Sequence, residues 1–339
     1  MRKAFYIVAI LCLAGVSLFG SPSKALKVCV FVPNVVSGSP TYEQMVAGAK
    51  RAVAEVPGAS IKVVEAGFNQ AEWLGKLSSL VATGEFGLIV SSNPAIPDLC
   101  AQAALSFPAE RFFVADSWLP GNKAIHTVLY NQLEQGYLVG YLAGLASSGK
   151  LGGKAGHKAG LIVAQRYPSL DKLIEPGFAK GLAASDPGAA LETRVLGNWY
   201  DATKASELAA SLYDAGAAAI LPIAGGAAQG VVSAAKAKGR YVLWFDDNSG
   251  YRLAPGTVIG CAVMRQEKLV YEQVKALLKQ GPASKLYGEA DIVGVQAGYV
   301  DFDGNDPAYK ALPAAARAAL EGELAKLKAG KLAFPVSGL

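Results

Sequence analysis

The chain has 339 residues, a length that predicts two domains or two lobes rather than one compact core. Hydrophobic residues make up 52% of it and charged residues only 17%, which excludes an intrinsically disordered protein and indicates large buried sheets. The formal net charge is +5, or +2 without the first 25 residues, which contain Arg2, Lys3 and Lys24 and no acid; this gives no argument for a nucleic-acid partner.

Residues 1–25 have the pattern of a secretory signal peptide. A basic start precedes the apolar run AFYIVAILCLAGVSLFG, and SKA at 23–25 offers small residues at both positions that a signal peptidase reads. We therefore expect export, cleavage near residue 25 and a periplasmic protein. An uncleaved membrane anchor is the alternative, because the apolar run is borderline in length for a span. A lipidated cysteine would follow LFG, where Ser21 stands, so no lipid anchor is expected.

From Leu26 onward, strand-like and helix-like segments alternate. The predicted strands KVCVFVP, IKVVEAG, FGLIVSS and RFFVADS are separated by the predicted helices TYEQMVAGAKRAVAEV, QAEWLGKLSSLVAT and AIPDLCAQAALSF. Strands that are apolar along their whole length are typical of a parallel sheet covered by helices on both faces. This first half therefore predicts one α/β lobe.

The same alternation then begins again. The strands AIHTVLY, KAGLIVAQ, ETRVLGN, AAAILPIAG and YVLWFDD alternate with helical segments, and the glycine- and lysine-rich loop GKLGGKAGHKAG precedes the second of them. Pro176 lies inside the helical pattern SLDKLIEPGFAKGLAAS, where it predicts a kink or a break. The chain is therefore predicted to form two α/β lobes, each with a mostly parallel sheet.

Polar and aromatic residues collect in the turns that follow the strands. These turns include PNVVSGSP, SSNPAIP, ADSWLPGN, AQRYPS, GNWYDA, IAGGAAQG and FDDNSGY. Ligands of parallel α/β sheets bind just beyond the carboxyl ends of the strands, so two such sheets that face each other would enclose a cleft. Trp199 of GNWYDA then lies in a cleft wall, while Asp201 can cap the following helix.

The sequence contains no assembled catalytic motif. His126 lies in a strand-like run and His157 in a loop, and neither is paired with a cysteine or serine in a recognisable pattern. The turn IAGGAAQG lacks the lysine of a phosphate-binding loop, and its glycines instead allow close approach of the backbone to a ligand or tight packing of strand and helix. Cys29, Cys100 and Cys261 have no close spacing. We expect neither an enzyme nor a cofactor or metal site.

Four segments of the chain carry a family resemblance: YNQLEQGYLVGYLA, EPGFAKGLAASDP, LYDAGAAAILPIAGGAAQGV and FDDNSGY. They resemble the basic membrane protein family, whose members are the binding-protein components of ABC importers for nucleosides and related ligands, and the likeness covers residues 26–339. Four further segments carry a closer resemblance: FVPNVVSGSPTY, SSNPAIPD, VLGNWYDATKASELA and VMRQEKLVYEQ. In these the chain is most similar to the spirochaetal riboflavin-binding branch of the family.

The resemblance implies a type I periplasmic binding protein, in which two Rossmann-like lobes are joined by three hinge crossings. The crossings are expected near Tyr130–Asn131, Met264–Arg265 and Ala290–Asp291. Lobe 1 would then hold residues 26–130 and 265–290, and lobe 2 residues 131–264 and 291–339. The implied partners are an ABC permease and ATPase at the inner membrane, and the protein is expected to be a monomer.

The implied function is capture of riboflavin as the transported ligand, and a purine nucleoside is the alternative within the family. NVVSGSPTYEQ replaces the acidic, phenylalanine-containing segment that is usual in the nucleoside-binding branch. A ligand-sensing regulator is the alternative from another class. A regulator of that kind would carry a helix-turn-helix before the first strand, where this chain has the signal-like segment.

The resemblance further implies that one aromatic ring from each lobe holds the ligand, and the matching positions are Tyr42 and Trp199. It also matches Asp246 to the acid that contacts a sugar hydroxyl. An isoalloxazine ring is well suited to such stacking, because offset aromatic contacts add about 0.5–1.5 kcal/mol beyond area burial. No arginine cluster is available for a phosphate, which favours the unphosphorylated flavin.

Other residues of the strand-end turns complete the candidate site. Asn34, Asn93 and Gln132 can serve the uracil-like edge of a flavin, and Asp116, like Asp246, can accept hydrogen bonds from ribityl hydroxyls. The remaining candidates for ligand contact are Trp118, Asn131, Tyr167, Gly225 and Arg265.

Structural roles are open alternatives for several of these side chains. Tyr42 can staple the first helix, and Trp118 can cover the surface of its lobe. Asp246 can be a helix cap. Arg265, at a crossing, can form a hinge salt bridge, and Trp244, inside a strand, is expected in the core.

Overall fold

The computed structural model describes residues 26–338; the expected signal peptide lies outside them. The strands are β1 (Lys27–Val32), β2 (Ser60–Glu65), β3 (Leu88–Ser92), β4 (Phe112–Ala115), β5 (Ile125–Tyr130), β6 (Lys158–Val163), β7 (Ala190–Val195), β8 (Ala219–Ile223), β9 (Tyr241–Asp246), β10 (Val258–Met264), β11 (Ala290–Val293) and β12 (Val300–Asp303). In this part of the chain, no helix is both long and apolar enough to cross a membrane.

The helices follow the predicted alternation closely. They are α1 (Pro40–Ala54), α2 (Gln70–Ala82), α3 (Ile96–Ser106), α4 (Gln132–Ser147), α5 (Glu175–Ser185), α6 (Ala202–Asp214), α7 (Ala228–Lys238), α8 (Ser249–Leu253), α9 (Gln266–Gln280), α10 (Pro307–Lys310) and α11 (Ala314–Lys328). The predicted break at Pro176 is confirmed: a π-helical turn, Leu170–Ile174, precedes α5. The proline lies just beyond this turn, so its missing N–H interrupts a continuous helical segment, and the wider π-turn accommodates the interruption.

Two six-stranded sheets form the two lobes. The first has the order β11-β5-β4-β3-β1-β2 and is parallel throughout; the second has the order β12-β10-β9-β8-β6-β7, with β12 alone antiparallel to its neighbour. Strand β1 is buried from Val28 to Val32, as its continuous apolar sequence predicts. The predicted fold class is confirmed, and the strand order places the turns after β1, β3, β4, β6, β8 and β9 on the carboxyl edges of the sheets.

The chain crosses between the lobes three times. It leaves the first sheet after β5 to begin α4, which packs on α5 of lobe 2, and it returns after β10 to begin α9, which packs on α1 of lobe 1. The third crossing was expected near Ala290–Asp291, and this position is wrong by a few residues. Strand β11 pairs with β5 in the first sheet, so the chain crosses between Val293 and Val300.

Glycines bring α4 and α5 into backbone contact. A Cβ atom added to Gly140 would lie 2.1 Å from the carbonyl oxygen of Phe178, and one added to Gly181 would lie 2.0 Å from that of Tyr137. Gly136 and Gly177 make similar approaches at 2.6 and 2.4 Å. No side chain fits at such distances. Helix α4, which is buried along nearly its whole length, is therefore fixed in position from its first turn.

The C-terminal segment 332–338 lies across the first crossing. The ring of Phe334 is 4.7 Å from that of Tyr137, and Asn131 Nδ2 donates to the Phe334 carbonyl oxygen at 2.9 Å. Phe334 and Val336 join an apolar group, called here the hinge cluster. Its other members are Trp118, Leu129, Leu133, Leu173 and Ile292. Because these residues come from both lobes, the segment ties the lobes together beside the hinge.

Candidate ligand-binding cleft

Three strand ends carry unusual backbone conformations. Asn93 after β3, Asp116 after β4 and Asp246 at the end of β9 have positive φ angles of 146°, 52° and 71°. Residues other than glycine seldom adopt such angles, and each instance costs on the order of 1–3 kcal/mol. Strain of this kind concentrates at binding and catalytic sites. We therefore expect the ligand-binding site at the carboxyl edges of both sheets.

In lobe 1, Tyr42 stands beside this edge. It lies in the first turn of α1, and its ring is partly buried against the core. Burial raises the pKa of Tyr42 to about 12, an effect that the neighbouring Asn93 side chain opposes and the charge of Asp116 increases. The phenol therefore stays neutral and lies within reach of both strand-end residues.

In lobe 2, Trp199 forms an aromatic pair with Tyr167. The two ring centroids are 6.4 Å apart at an interplanar angle of 42°. Gly225 passes beneath the indole: its φ is 54°, and a Cβ there would lie 3.4 Å from the Trp199 ring. Glycine is thus favoured at this position, because its backbone adopts a positive φ angle readily and because little space is left for a Cβ atom beside the indole. The aromatic pair lies beside the strand ends of β6, β7 and β8.

The loop that carries Trp199 is held by its own polar residues. Asn198 Oδ1 accepts the amides of Tyr200 and Asp201 at 3.0 and 2.7 Å. Asp201 accepts the Lys204 amide at 2.9 Å and caps α6, as the sequence predicts. A rigid turn therefore presents a half-buried tryptophan, which explains how the ring can stay on a loop without entering the core.

Two carboxyl groups meet where the lobes face each other. Burial raises the pKa of Asp116 to about 7. Burial also raises the pKa of Asp246 to about 8; the charge of Asp116 adds to this, and a hydrogen bond from Gln135 opposes it. Since the charge of Asp116 acts on Asp246, the strand ends of β4 and β9 are close together. The alternative of Asp246 as a helix cap is excluded, because Asp247 accepts the Ser249 amide at 2.6 Å instead.

Replacing Asp116 with asparagine should stabilise the ligand-free protein at pH 8 and leave it nearly unchanged at pH 4. A carboxyl group with a pKa of about 7 when folded, against the ordinary 3.8, binds its proton more tightly in the folded state. Wild-type stability therefore falls as pH rises from about 4 to about 7. The amide removes this loss of stability, which is worth about 1.4 kcal/mol for each pKa unit.

Asparagine suits the test because it tolerates the left-handed backbone of this position and preserves the side-chain shape. Thermal melts of both proteins at pH 4, 6 and 8 provide the measurement. An equal melting difference at every pH, or a less stable variant at pH 8, would contradict the assignment.

Hydrogen bonds, ring contacts and charge interactions join eight of the sequence-predicted residues into one group. They are Tyr42, Asn93, Asp116, Gln132, Tyr167, Trp199, Gly225 and Asp246. Asn34 accepts the amide of Val35 at 2.7 Å, and no hydrogen bond described for residues 26–338 links its side chain to the group. Trp244 is partly buried against the core, beneath Gly250.

Three other candidates have structural roles instead. Asn131 caps α4 and donates to the Phe334 carbonyl, so both ends of its amide are used by the chain. Trp118 packs in the hinge cluster. Arg265 donates to Asp301 at 2.8 Å, which is the hinge salt bridge that the sequence left open as its alternative. Contact of these three residues with the ligand stays a prediction.

Sequence reasoning missed a glutamine that reaches the site. Gln135 Nε2 donates to Asp246 Oδ1 at 3.1 Å and to the Ala262 carbonyl at 3.2 Å. Its spacing of three from Gln132 puts both side chains on one face of α4, a signal that the sequence contains. A second buried glutamine, Gln266, also makes two hydrogen bonds: it accepts one from the Tyr130 hydroxyl at 2.7 Å and donates one to Ser92 Oγ at 2.8 Å.

The groups gathered at these strand ends are aromatic rings, amides and carboxyl groups. Within residues 26–338, no three or more histidine, cysteine, aspartate or glutamate side chains are grouped so as to hold a metal ion. Cys29, Cys100 and Cys261 are free and buried. Two facing α/β lobes with aromatic and carboxyl groups on their inner edges define a two-lobed solute-binding protein.

Comparison with known proteins gives the family. The model of the PnrA-like ABC transporter substrate-binding proteins matches residues 25–323, so the chain belongs to this Bmp family. Members are solute-binding proteins rather than enzymes, and they act in the periplasm or outside the cell.

Solved structures of low sequence identity share the fold. A solute-binding protein of an ABC transporter system from Aeropyrum pernix K1 is 18% identical with a TM-score of 0.75, covering 92% of this chain and 93% of that one. A transcriptional activator of the comK gene from Bacillus halodurans is 19% identical with a TM-score of 0.71 (91% and 99% covered). A carbohydrate transporter solute-binding protein from Agrobacterium radiobacter, solved with D-arabinose, is 19% identical with a TM-score of 0.62 (84% and 98%).

Proposed function

We propose that this substrate-binding protein captures riboflavin between its lobes and presents it to an ABC permease. The observation that carries the proposal is the combination of aromatic rings on both lobes with two carboxyl groups between them. Tyr42 stands on the lobe 1 side, and Trp199 with Tyr167 on the lobe 2 side. Asp116 and Asp246 lie between.

A flavin satisfies both parts of this arrangement. Its planar ring system buries a large apolar area, and stacking on each aromatic side chain adds about 0.5–1.5 kcal/mol. Its ribityl chain brings several hydroxyl donors, which the carboxylates can accept. In the described part of the chain, neither Asp116 nor Asp246 is paired with a lysine or arginine. Once both groups are ionised, above about pH 8, they would repel a phosphate placed beside them, so the unphosphorylated flavin is favoured over FMN.

A purine nucleoside is the second candidate. It also offers one planar ring system and a hydroxyl-bearing sugar, and the same aromatic and carboxyl groups can serve it. The D-arabinose complex of the Agrobacterium radiobacter relative is a precedent for a hydroxyl-rich ligand in this fold. The two candidates differ chiefly in the area of the ring that must fit between the aromatic side chains.

The absorption spectrum of protein purified without added ligand tests the proposal. Flavin bands in a yellow preparation support it. A colourless preparation is then titrated with riboflavin, FMN and inosine, with tryptophan emission and calorimetry as readouts. Riboflavin should bind, and FMN should bind at least roughly tenfold more weakly because of charge repulsion. Tight binding of inosine without binding of riboflavin would overturn the flavin assignment in favour of the nucleoside.

A further inference from the structure

The side chain of Gln135 is buried in the protein, and only one orientation of its amide is possible. The residue has no exposed surface, and Nε2 donates to both Asp246 Oδ1 and the Ala262 carbonyl oxygen. Rotating the amide by 180° would bring Oε1 against two oxygen acceptors. Both contacts therefore require the nitrogen at this place.

This orientation leaves the other end of the amide without a partner. Among residues 26–338, Oε1 of Gln135 and Oε1 of Gln132 are the two buried side-chain polar atoms that make no hydrogen bond. A buried polar group without a partner costs about 1–3 kcal/mol. An apolar residue would avoid this cost, so packing alone does not explain a glutamine at position 135.

The same arrangement occurs once more on the helix. Gln132 Nε2 donates to Asp116 Oδ1 at 3.1 Å, three residues before Gln135. One turn of α4 thus supplies a side-chain amide to the carboxylate of each lobe. The close approach of α5 at Gly136 and Gly140 fixes the position of this turn. In both carboxylates Oδ1 takes the amide, while Oδ2 receives no hydrogen bond from the described residues.

We propose that Gln135 is a positioning residue for ligand binding: it holds Asp246 by Oδ1, so that Oδ2 is presented to a hydroxyl donor of the ligand. The proposal rests on the proposed function in that it assigns this carboxylate to a polyhydroxyl ligand. Glutamine meets the requirement because it donates without bringing charge. A lysine or arginine would neutralise Asp246, and a glutamate would repel it.

Gln135→Met tests the proposal because methionine keeps the length and volume but cannot donate. In wild type, riboflavin should bind better than lumiflavin, which carries a methyl group in place of the ribityl chain. The variant should lose roughly tenfold in riboflavin affinity, the scale of a hydrogen bond to a charged group, and less than about twofold in lumiflavin affinity. Equal losses for both ligands would indicate a general packing defect and overturn the proposal.

A double-mutant cycle with Asp246→Asn adds a second requirement. If Gln135 acts through Asp246, then Gln135→Met should cost little further affinity for riboflavin in the Asp246→Asn background. Additive losses would overturn the proposal.

A ligand-free measurement separates this proposal from the flavin assignment. Carbon-13 NMR of labelled aspartate follows the titration of the Asp246 carboxyl group, and its pKa should rise in Gln135→Met because a donor that favours the ionised form is lost. The other ionisable groups that act on Asp246 are Asp116 and Asp247, and the charge of Asp246 in turn raises the pKa of Tyr130 and of Tyr167, which stay neutral. Gln266→Met is the matched control: this buried glutamine bonds Tyr130 and Ser92, so its loss should destabilise the protein but not move Asp246.

If neither riboflavin nor inosine binds wild type, the proposed function fails, and the NMR result still decides whether Gln135 controls Asp246. An unchanged Asp246 pKa in Gln135→Met, or an equal change in Gln266→Met, overturns the role of Gln135 whatever the ligand is.

Discussion

Gly140→Ala should lower the free energy of unfolding by about 3 kcal/mol, at the upper end of the usual cost of an overpacked core. The added Cβ would lie 2.1 Å from the Phe178 carbonyl oxygen. That atom belongs to the backbone of α5, so no side chain can move aside; the two helices must separate instead. Because α4 also carries Gln132 and Gln135, the shift should weaken ligand binding as well. Urea unfolding followed by circular dichroism measures the change.

Gly75→Ala is the matched control for this prediction. Gly75 lies in the middle of α2 with no atom within 4 Å of its added Cβ. The same substitution should stabilise the protein there by about 0.5–1 kcal/mol, since alanine favours the helix. A Gly140→Ala protein as stable as wild type would show that α4 and α5 can separate without cost.

Trp199→Ala should weaken riboflavin binding by about 2–4 kcal/mol, the scale of a buried aromatic anchor. In the ligand-free protein the ring is only half-buried, against Tyr167 and Gly225. Closure onto a flavin would bury the remainder, so the ring stabilises the bound state more than the free one. The free protein should consequently lose less than the roughly 3–5 kcal/mol expected for a tryptophan of the core. Calorimetric titration and melting of the same samples give both quantities.

Tyr200→Ala provides the control from the adjacent position. Tyr200 is 82% exposed, and its side chain should contribute little to stability or to binding. A Trp199→Ala protein that melts early but binds riboflavin normally once folded would assign the ring to the core and remove it from the cleft.

Most of the fold follows from local patterns. Strands that are buried on both faces are mostly apolar, so β1, β4 and β8 are visible in the sequence as uninterrupted hydrophobic runs. Pro176 and Asp201 mark the starts of α5 and α6 for equally local reasons. The third crossing was misplaced because β11 is short and only partly buried, and its pairing with β5 depends on a contact distant in sequence.

From the sequence, the candidate site could be predicted only for residues that lie near the ends of strands. Residues that directly follow strands, such as Asp116 and Trp199, fall where sheet geometry requires. Asn131 and Arg265 have equally suitable side chains, but their partners are Phe334 and Asp301, and such distant pairings cannot be read from the sequence. Gln135 was missed for the opposite reason. It lies inside a helix that reads as apolar, and only the packing of α4 brings it to Asp246.

The hinge cluster links the C-terminal segment to the rate at which the two lobes can separate. Trp118 of lobe 1 and Leu173 of lobe 2 both contact this cluster, and segment 332–338 covers it. The segment begins beyond residue 323, where the family match ends. Lobes that part at this edge must break apolar contacts before the cleft can release its contents. We therefore expect the time that a ligand stays in the cleft to depend partly on segment 332–338, which packs beside the hinge.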